Sequence, residues 1–528
     1  MNRIDSEHTF TPMDDAGLSA GVGEPGERAS AYDQFRYPGR FYPQASPERM
    51  ATLGTLFGLK PPPIARCRVL ELGCGEGGHL VPLAYVLPDS SFLGVDASQI
   101  PVARARDLAG RIDAKNIEFR TLEFENFPSD AGLFDYIISH GVYSWVPAAA
   151  QQALLAICQR HLAPNGLAYI SYNAHPGGHL RQIPRDLALF HTRHTVELAP
   201  KVREAHQILD FVLSGMPQTS IQRDLLAGVV RGYKASDALT VFDLLSEVNE
   251  PCYFLDFMES AVAHGLQFVA ESDVRFMRTS HLPQNIRRWL DALPDRLLRE
   301  QYLDFINWRA FRATILCRIG PRVDLEVTAD RMRRLMVASS LAPDVPIANL
   351  NSEEEIDFRG IYGQVVRSKE PLLKAVFLEL QAVFPRALGY AELRERVCRR
   401  LGRPDTDDTA FEGTLVRLLV SALANGVVEF FVYQAPYTTM ISERPIASMI
   451  ARIQAQSPGP VSCMYLASFM LEDPILRGLL LLSDGAHDHR QLRSKLATQL
   501  DRTDGDSITA ETVERSLRKL ASFGMLIG

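Results

Sequence analysis

The chain lacks most of what would mark it for a membrane, an oxidising compartment or a polyanion. No apolar run approaches the roughly 20 residues of a bilayer span, and the N-terminal stretch has no apolar core of a secretory signal. Its seven cysteines are scattered without a C-x-x-C pair, so neither the usual zinc spacings nor a disulfide framework is suggested, and no metal is expected. A net charge of −7 argues against a surface that coats nucleic acid generally. These absences lead to an expected cytoplasmic location, with no membrane span and no nucleic-acid partner. What remains is ordinary globular composition, 46% hydrophobic and 23% charged over 528 residues, enough for two to four domains.

The most informative stretch is Val69-Leu-Glu71-Leu-Gly73-Cys74-Gly75-Glu-Gly77-Gly78, an apolar strand running into a loop with four glycines in six residues. Glycines there let the backbone turn sharply and approach a ligand closely where a strand feeds a helix. Gly73, Gly75 and Gly78 satisfy the dinucleotide pattern G-x-G-x-x-G, which alone is weak evidence. Glu71, Gly73, Gly75 and Gly77 also resemble the acid-x-G-x-G-x-G pattern of class I S-adenosylmethionine (SAM) methyltransferases. The acid discriminates between them. A pyrophosphate at this loop would be repelled by a nearby carboxylate, whereas the amino group and sulfonium of SAM are cations that favour one.

Further strands follow at the intervals of a doubly wound parallel sheet: Phe92–Asp96, Ile117–Phe124, Phe134–Gly141 and Leu167–Asn173, with helical text between them. Asp96 ends the second strand about twenty residues after the loop, where Rossmann-like folds accept a ribose diol; it also suits the cap of the next helix. Residues 1–30 read as a disordered tail. The aromatic, proline-interleaved leader that follows, from Tyr32 through Tyr37 to Tyr42, is either a lid over the ligand or plain packing. Helical text over 195–251 is expected to be an insertion above the strand ends, after which Leu266–Ala270 and Phe311–Arg318 complete the sheet. The remainder contains two units, 321–436 and 437–528, each of three helices, a glycine stop and an apolar strand. That pattern is winged-helix-like. The last helix, with Glu511, Glu514, Arg515, Arg518 and Lys519, carries a mixed face better suited to packing or protein interaction than to DNA.

Ser139-His-Gly-Val-Tyr-Ser-Trp-Val-Pro147, Ile170-Ser-Tyr-Asn173 with Pro176-Gly177, Ser246-Glu-Val-Asn249-Glu-Pro251, and Gln301-Tyr-Leu-Asp-Phe305 with Arg309 and Phe311 extend the likeness. On these residues the chain resembles bacterial methyltransferases with a methyltransferase regulatory domain, including the rickettsial protein-lysine methyltransferases. Gly178 departs from the pattern, which would have a bulkier residue there. The resemblance implies an α/β fold: a Rossmann-like class I sheet over 31–194 and 252–320 with a helical regulatory insertion, followed by α+β winged-helix-like units. It also implies a SAM-dependent enzyme whose best-known acceptor is protein lysine. The candidate cofactor residues are Tyr32, Tyr37, Glu71, Gly73, Cys74, Gly75, Asp96, Ala97, Glu123, Phe124, Ser139 and His140. His140, Tyr143, Trp145 and Tyr172 are the candidate catalytic set, an aromatic, polar mouth suited to a lysine stem and its charged head. The fourth strand ends in neither Asn-Pro-Pro-Tyr nor Pro-Cys, so a nucleobase acceptor is unsupported. The alternatives are a small-molecule methyltransferase with an oligomerising C-terminus and a non-catalytic SAM-binding regulator.

Overall fold

In the computed structural model, which describes residues 36–528 except 38, 362, 404–407 and 501–507, the apolar runs form one seven-stranded sheet. Its strands are β1 (Arg68–Leu72), β2 (Ser91–Asp96), β3 (Ile117–Thr121), β4 (Phe134–Ser139), β5 (Leu162–Asn173), β6 (Leu266–Glu271) and β7 (Phe311–Arg318). They stand in the order β3-β2-β1-β4-β5-β7-β6. The first five are parallel. β7 enters antiparallel to β5, from Leu167 opposite Cys317 to Asn173 opposite Phe311, and β6 pairs antiparallel with β7. The parallel sheet expected from five strands is thus completed as a mixed one. The winding direction reverses between β1 and β4, and a ligand crevice opens at the carboxyl ends of strands at such a reversal. The expected tail over 1–30, and Tyr32, lie outside the described residues.

Both faces of the sheet are covered, which is why its central strands read as continuous apolar runs. Val69, Tyr136, Ile138, Tyr169 and Ile315 share one core with helices Pro47–Leu56, Leu80–Val86 and Gln99–Arg111. Leu70, Leu72, Ile137, Ile170, Tyr172 and Leu316 share the other with Ala148–His161 and Phe254–Ala263. Truncating a core anchor such as the fully buried Phe254 to alanine would cost about 3–5 kcal/mol. At the β6–β7 edge the buried Arg312 donates from Nε to Asp304 (2.8 Å), and Arg309 donates to Glu271 (2.8 Å). Such a network ties helix Arg296–Asn307 to the sheet, because removing one partner would leave an uncompensated buried charge.

Helices Gly178–His191, Leu198–Gly215 and Ile221–Tyr233 stand between β5 and β6 in the chain, with a core of their own around Leu209, Tyr233 and Phe242. The helical block therefore starts directly after β5, earlier than residue 195. In the C-terminal third, helices Pro371–Gln381, Tyr390–Arg400 and Thr409–Ala424 precede strand Glu429–Phe431, and Pro474–Leu482, His489–Gln499 and Ala510–Ser522 form the second triplet. Periodicity missed the short strand Met336–Ala338, which lies between Leu388–Gly389 and Glu429–Phe431. The first unit's core, with Met332, Phe377 and Leu419, is continuous with that of the sheet, whereas the second has a separate core around Leu479, Leu496 and Leu517.

Candidate active site

The glycine loop is stitched to the end of β2. Gly73 N–H and Cys74 N–H donate to Val95 O (2.8 and 3.1 Å), and Gly75 N–H donates to Asp96 Oδ2 (2.9 Å). Gly73, Gly75 and Gly77 all have positive φ (80°, 50° and 73°), a region that disfavours side chains. A Cβ on Gly73 would meet Val142 Cγ2 at 2.3 Å, so the loops after β1 and β4 touch there. A Cβ on Gly75 would meet nothing within 4 Å, so this glycine faces open space. Asp96 braces the loop and also accepts from Ser98 N–H (2.9 Å), so it shapes the start of helix Gln99–Arg111 while holding Gly75.

Glu71 is 3% exposed, and its Oε2 has no hydrogen-bond partner among the described residues. Burial, reinforced by Asp96, holds its carboxyl well above the usual carboxylate range. Ser139, at the end of β4, is likewise buried with an unpartnered Oγ. An open glycine flanked by unsatisfied acceptors fits a ligand that brings N–H donors and positive charge, as SAM does. Cys74 is buried against Gly94, so only its backbone can face that ligand. Ala97 and Glu123 are exposed, and Phe124 is half-buried beside the β3 end.

The loop after β4 carries His140. Its Nδ1 lies 2.9 Å from Tyr169 Oη and 3.4 Å from Ser171 Oγ, which in turn accepts from Gly141 N–H (2.8 Å). Burial, then Arg40, pushes its imidazole down to about 3, so the ring is neutral at physiological pH. Tyr42 lies tilted against that ring with centroids 3.9 Å apart, and its N–H donates to His79 Nδ1 (3.2 Å). The aromatic leader crosses the glycine loop: Gly78 abuts Gly39 so closely that a Cβ would reach Gly39 C at 2.3 Å. Arg36 and Arg104 pair with the buried Glu76 of that loop, and Tyr37 packs edge-on against Phe242 of the helical block (5.3 Å). The leader therefore covers the loop and joins it to the helices.

A strap, Ser246–Pro251, closes the other side. Asn173 Nδ2–H donates to Asn249 Oδ1 (2.9 Å), Asn173 N–H to Ser144 Oγ (2.9 Å), and Glu250 N–H to Ser144 O (2.8 Å). Gly178 fits against Pro251, where a Cβ would come within 3.1 Å of the proline, so a bulkier residue here would displace the strap.

Two expected members of the mouth are elsewhere. Tyr172 is 1% exposed and Tyr143 is 4% exposed, and both rings pack on Phe257 (4.2 and 5.2 Å) in the core beneath the sheet. Tyr172 alternates with Tyr169 and Ser171 along β5, so it points into the opposite layer, with its hydroxyl 3.3 Å from Thr314 Oγ1. The Tyr143 hydroxyl is turned to Ser260. Trp145, two residues on in the same short turn, is half-buried. In their place the structure brings Tyr42, Tyr169, Ser171 and Asn249 around His140 and Asn173. Strand alternation could have found Tyr169 and Ser171; Asn249 stood in the Ser246–Pro251 stretch of the family likeness, but its pairing with Asn173, 76 residues away, had no local signal.

A methyltransferase-domain model matches residues 69–166, and a model of a predicted methyltransferase regulatory domain matches 236–318, taking in the end of the helical block, the strap, β6 and β7. PKMT2 from Rickettsia typhi, solved in complex with AdoHcy, superimposes with a TM-score of 0.83 at 25% identity, over 93% of this chain and 100% of that one. An uncharacterized protein of Rickettsia prowazekii (strain Madrid E) is 30% identical over 377 residues, 70% of this chain and 68% of the relative. A second protein of that organism, also uncharacterized, is 32% identical over 236 residues, 44% of this chain and 93% of the relative. Fold, family models and an AdoHcy-bound neighbour define a class I SAM-dependent methyltransferase. More particularly, the chain belongs to the family of bacterial methyltransferases that join this domain to a methyltransferase regulatory domain. Among the described residues, no helix is long and apolar enough to cross a membrane.

Proposed function

We propose that the enzyme methylates the side-chain amine of a protein lysine. The observation that carries this reading is the likeness to PKMT2, a name we take to denote a protein lysine methyltransferase: it extends through the helical block and both C-terminal units, well beyond the cofactor-binding sheet. Those parts are more than a small acceptor needs and suit the docking of a polypeptide.

SAM, when bound, supplies an electrophilic methyl group on a sulfonium. In this reading Glu71 and Asp96 favour its amino group, sulfonium and ribose, while Gly73, Gly75 and Ser139 shape the cradle; Ala97, Glu123 and Phe124 flank it, and Tyr37 and Tyr42 help exclude water. His140 stays neutral, so it offers the acceptor a polar ring without repelling an ammonium. At about 3 it is too weak a base to retain a proton from an amine, so that proton leaves toward water and the exposed carboxylates Glu247 and Glu250 on the strap. Asn173, held by Asn249, directs its amide oxygen at the incoming nitrogen. The helical block and strap are the part that orders this mouth.

The test is to incubate the full chain with methyl-deuterated SAM and a panel of lysine-bearing proteins and peptides, then map the label by fragment mass spectrometry. The expected result is label on lysine Nζ. Label found solely on carboxylates, nucleic acid or small molecules would overturn the lysine assignment and leave SAM binding standing.

A further inference from the structure

His140 is held from one side by two hydroxyls. Tyr169 and Ser171, two residues apart on β5, project to the same face and are fully buried. Tyr169 Oη lies 2.9 Å and Ser171 Oγ 3.4 Å from the same imidazole nitrogen, Nδ1, and the Ser171 hydroxyl is also directed at Tyr169. Gly141 N–H donates to Ser171 Oγ (2.8 Å). Neither hydroxyl has a further hydrogen-bond partner among the described residues. Glu271 acts on Tyr169 only through space, and its oxygens accept from Arg309, Arg312, Thr314 and the Ala313 N–H.

Counting protons in this set distinguishes the two tautomers of the neutral ring, which carries its single proton on Nδ1 or on Nε2. With the proton on Nε2, Nδ1 accepts from Tyr169, Tyr169 Oη accepts from Ser171, and Ser171 Oγ accepts from Gly141. Every proton is then placed. With the proton on Nδ1, only one hydroxyl proton fits between Tyr169 Oη and Ser171 Oγ. The other is buried without an acceptor, which costs the full desolvation of that group. The rings of Tyr42 (3.9 Å), Tyr169 (5.8 Å) and Phe311 (6.1 Å) pack around the imidazole, so packing sets its plane and the hydroxyls choose the nitrogen. Nε2, across the half-buried ring, has no hydrogen-bond partner among the described residues.

We propose that Tyr169 is a positioning residue that holds His140 in the Nε2–H tautomer, so that the ring offers the mouth a hydrogen-bond donor. A ring in that state orients an oxygen of a bound reactant and has no lone pair at Nε2 with which to take the amine's proton. The assignment rests on methyl transfer at this mouth, whichever group is the acceptor. Full-length protein, isotopically labelled at the histidine ring nitrogens, is read by long-range proton–nitrogen NMR, with the His140 signals identified by their loss in His140→Asn. An unprotonated Nδ1 and a protonated Nε2 are expected at neutral pH. Tyr169→Phe leaves only the 3.4 Å contact to Ser171, so both nitrogens should move toward a common, averaged position. Turnover on the acceptor found by SAM labelling should fall about two- to tenfold in that variant, with SAM affinity within about twofold. Ser171→Ala spares the shorter bond and should keep the wild-type tautomer, which keeps the proposal testable if the tyrosine variant does not fold. An Nε2 signal that moves when SAM saturates the enzyme assigns the oxygen to the cofactor; an unmoved signal assigns it to the acceptor. A protonated Nδ1 in the wild type, a Tyr169→Phe variant with the wild-type tautomer or unaltered turnover, or a Ser171→Ala variant that loses the tautomer would overturn the proposal.

Discussion

The glycine loop and the mouth at the ends of β4 and β5 meet at one point of the sheet, yet they are built in opposite ways. The loop is local. Glu71 to Asp96 spans one strand, one helix and one strand, and backbone hydrogen bonds to Val95 and Asp96 hold it. The mouth is assembled from distant text: Tyr42 from the leader, His140 and Ser144 after β4, Tyr169 to Asn173 on β5, and Asn249 on the strap. A loop of the first kind has its chemistry written in consecutive residues. A mouth of the second kind depends on several segments arriving together, which makes it the place where acceptor choice can vary while the cofactor stays the same.

The variant expected to break this separation is Gly73→Ala. Its Cβ would collide with Val142 and hold an alanine at φ 80°, for a combined cost of about 2–5 kcal/mol. Because Val142 belongs to the loop after β4, SAM affinity and turnover should fall together, with the loss read by calorimetry and single-turnover assays. Asp96→Ala should act on the loop alone. It removes the acceptor for Gly75 N–H and Ser98 N–H and should weaken SAM by about 1.5–3 kcal/mol, with the Michaelis constant for the acceptor unchanged. Equal SAM affinity in that variant would remove Asp96 from the cofactor site.

The same contrast explains what could be read beforehand. The loop, the acids and strands β1 to β5 were legible because glycine spacing and apolar runs are local signals. β6 and β7 could be placed by likeness, but the antiparallel direction of β7 follows from the chain's route through the helical block and helix Arg296–Asn307. Tyr172 was misjudged because an aromatic near a strand end looks available until the period of two assigns it a face. The strand Met336–Ala338 is too short to carry a pattern, and its sheet exists because Leu388–Gly389 and Glu429–Phe431 arrive from further along the chain.

Acid should sharpen the comparison on the mouth side. His140 and His79 each have a folded value of about 3 against an ordinary 6.5, both chiefly through burial. A depressed value means that the unfolded chain takes up the proton first. Stability is therefore intact above 6.5 and is lost progressively as pH falls toward 3. Between pH 6.5 and 5 each histidine can contribute up to about 2 kcal/mol of that loss. His140→Asn should flatten the fall in melting temperature over this range, and the wild-type rate should show no inflection at 6.5 from this ring. Glu48 runs the other way. Burial lifts its carboxyl to about 7, so its contribution is present below 4.5 and is lost as pH rises through 7, and Glu48→Gln should raise the melting temperature at pH 8.

A smaller effect is expected from Asn249→Ala, which leaves Asn173 without the partner that holds its amide. Turnover should drop by the equivalent of about 0.5–1.5 kcal/mol with SAM affinity preserved. A parallel loss of SAM affinity would mean that strap and glycine loop act as one unit.

The smallest effect belongs to the tyrosines beneath the sheet. If the mouth is the set around His140 and Asn173, then Tyr143 and Tyr172 support it only by packing on Phe257. Tyr143→Phe keeps that ring contact and removes a hydroxyl directed at Ser260. Tyr172→Phe removes one that lies 3.3 Å from Thr314, a long hydrogen bond. Each should cost no more than about 1 kcal/mol of stability by chemical denaturation, the net value of an ordinary buried hydrogen bond, and turnover should stay within about twofold of wild type. The side chains are apolar to their last atom and nearly isosteric, so refolding of the site is not a competing explanation. A sharp fall in turnover for Tyr143→Phe, with SAM affinity untouched, would mean that the hydroxyl reaches the acceptor in the working enzyme. The turn Tyr143–Trp145 would then have to swing out of the core during catalysis, and the boundary between mouth and core drawn here would have to move with it.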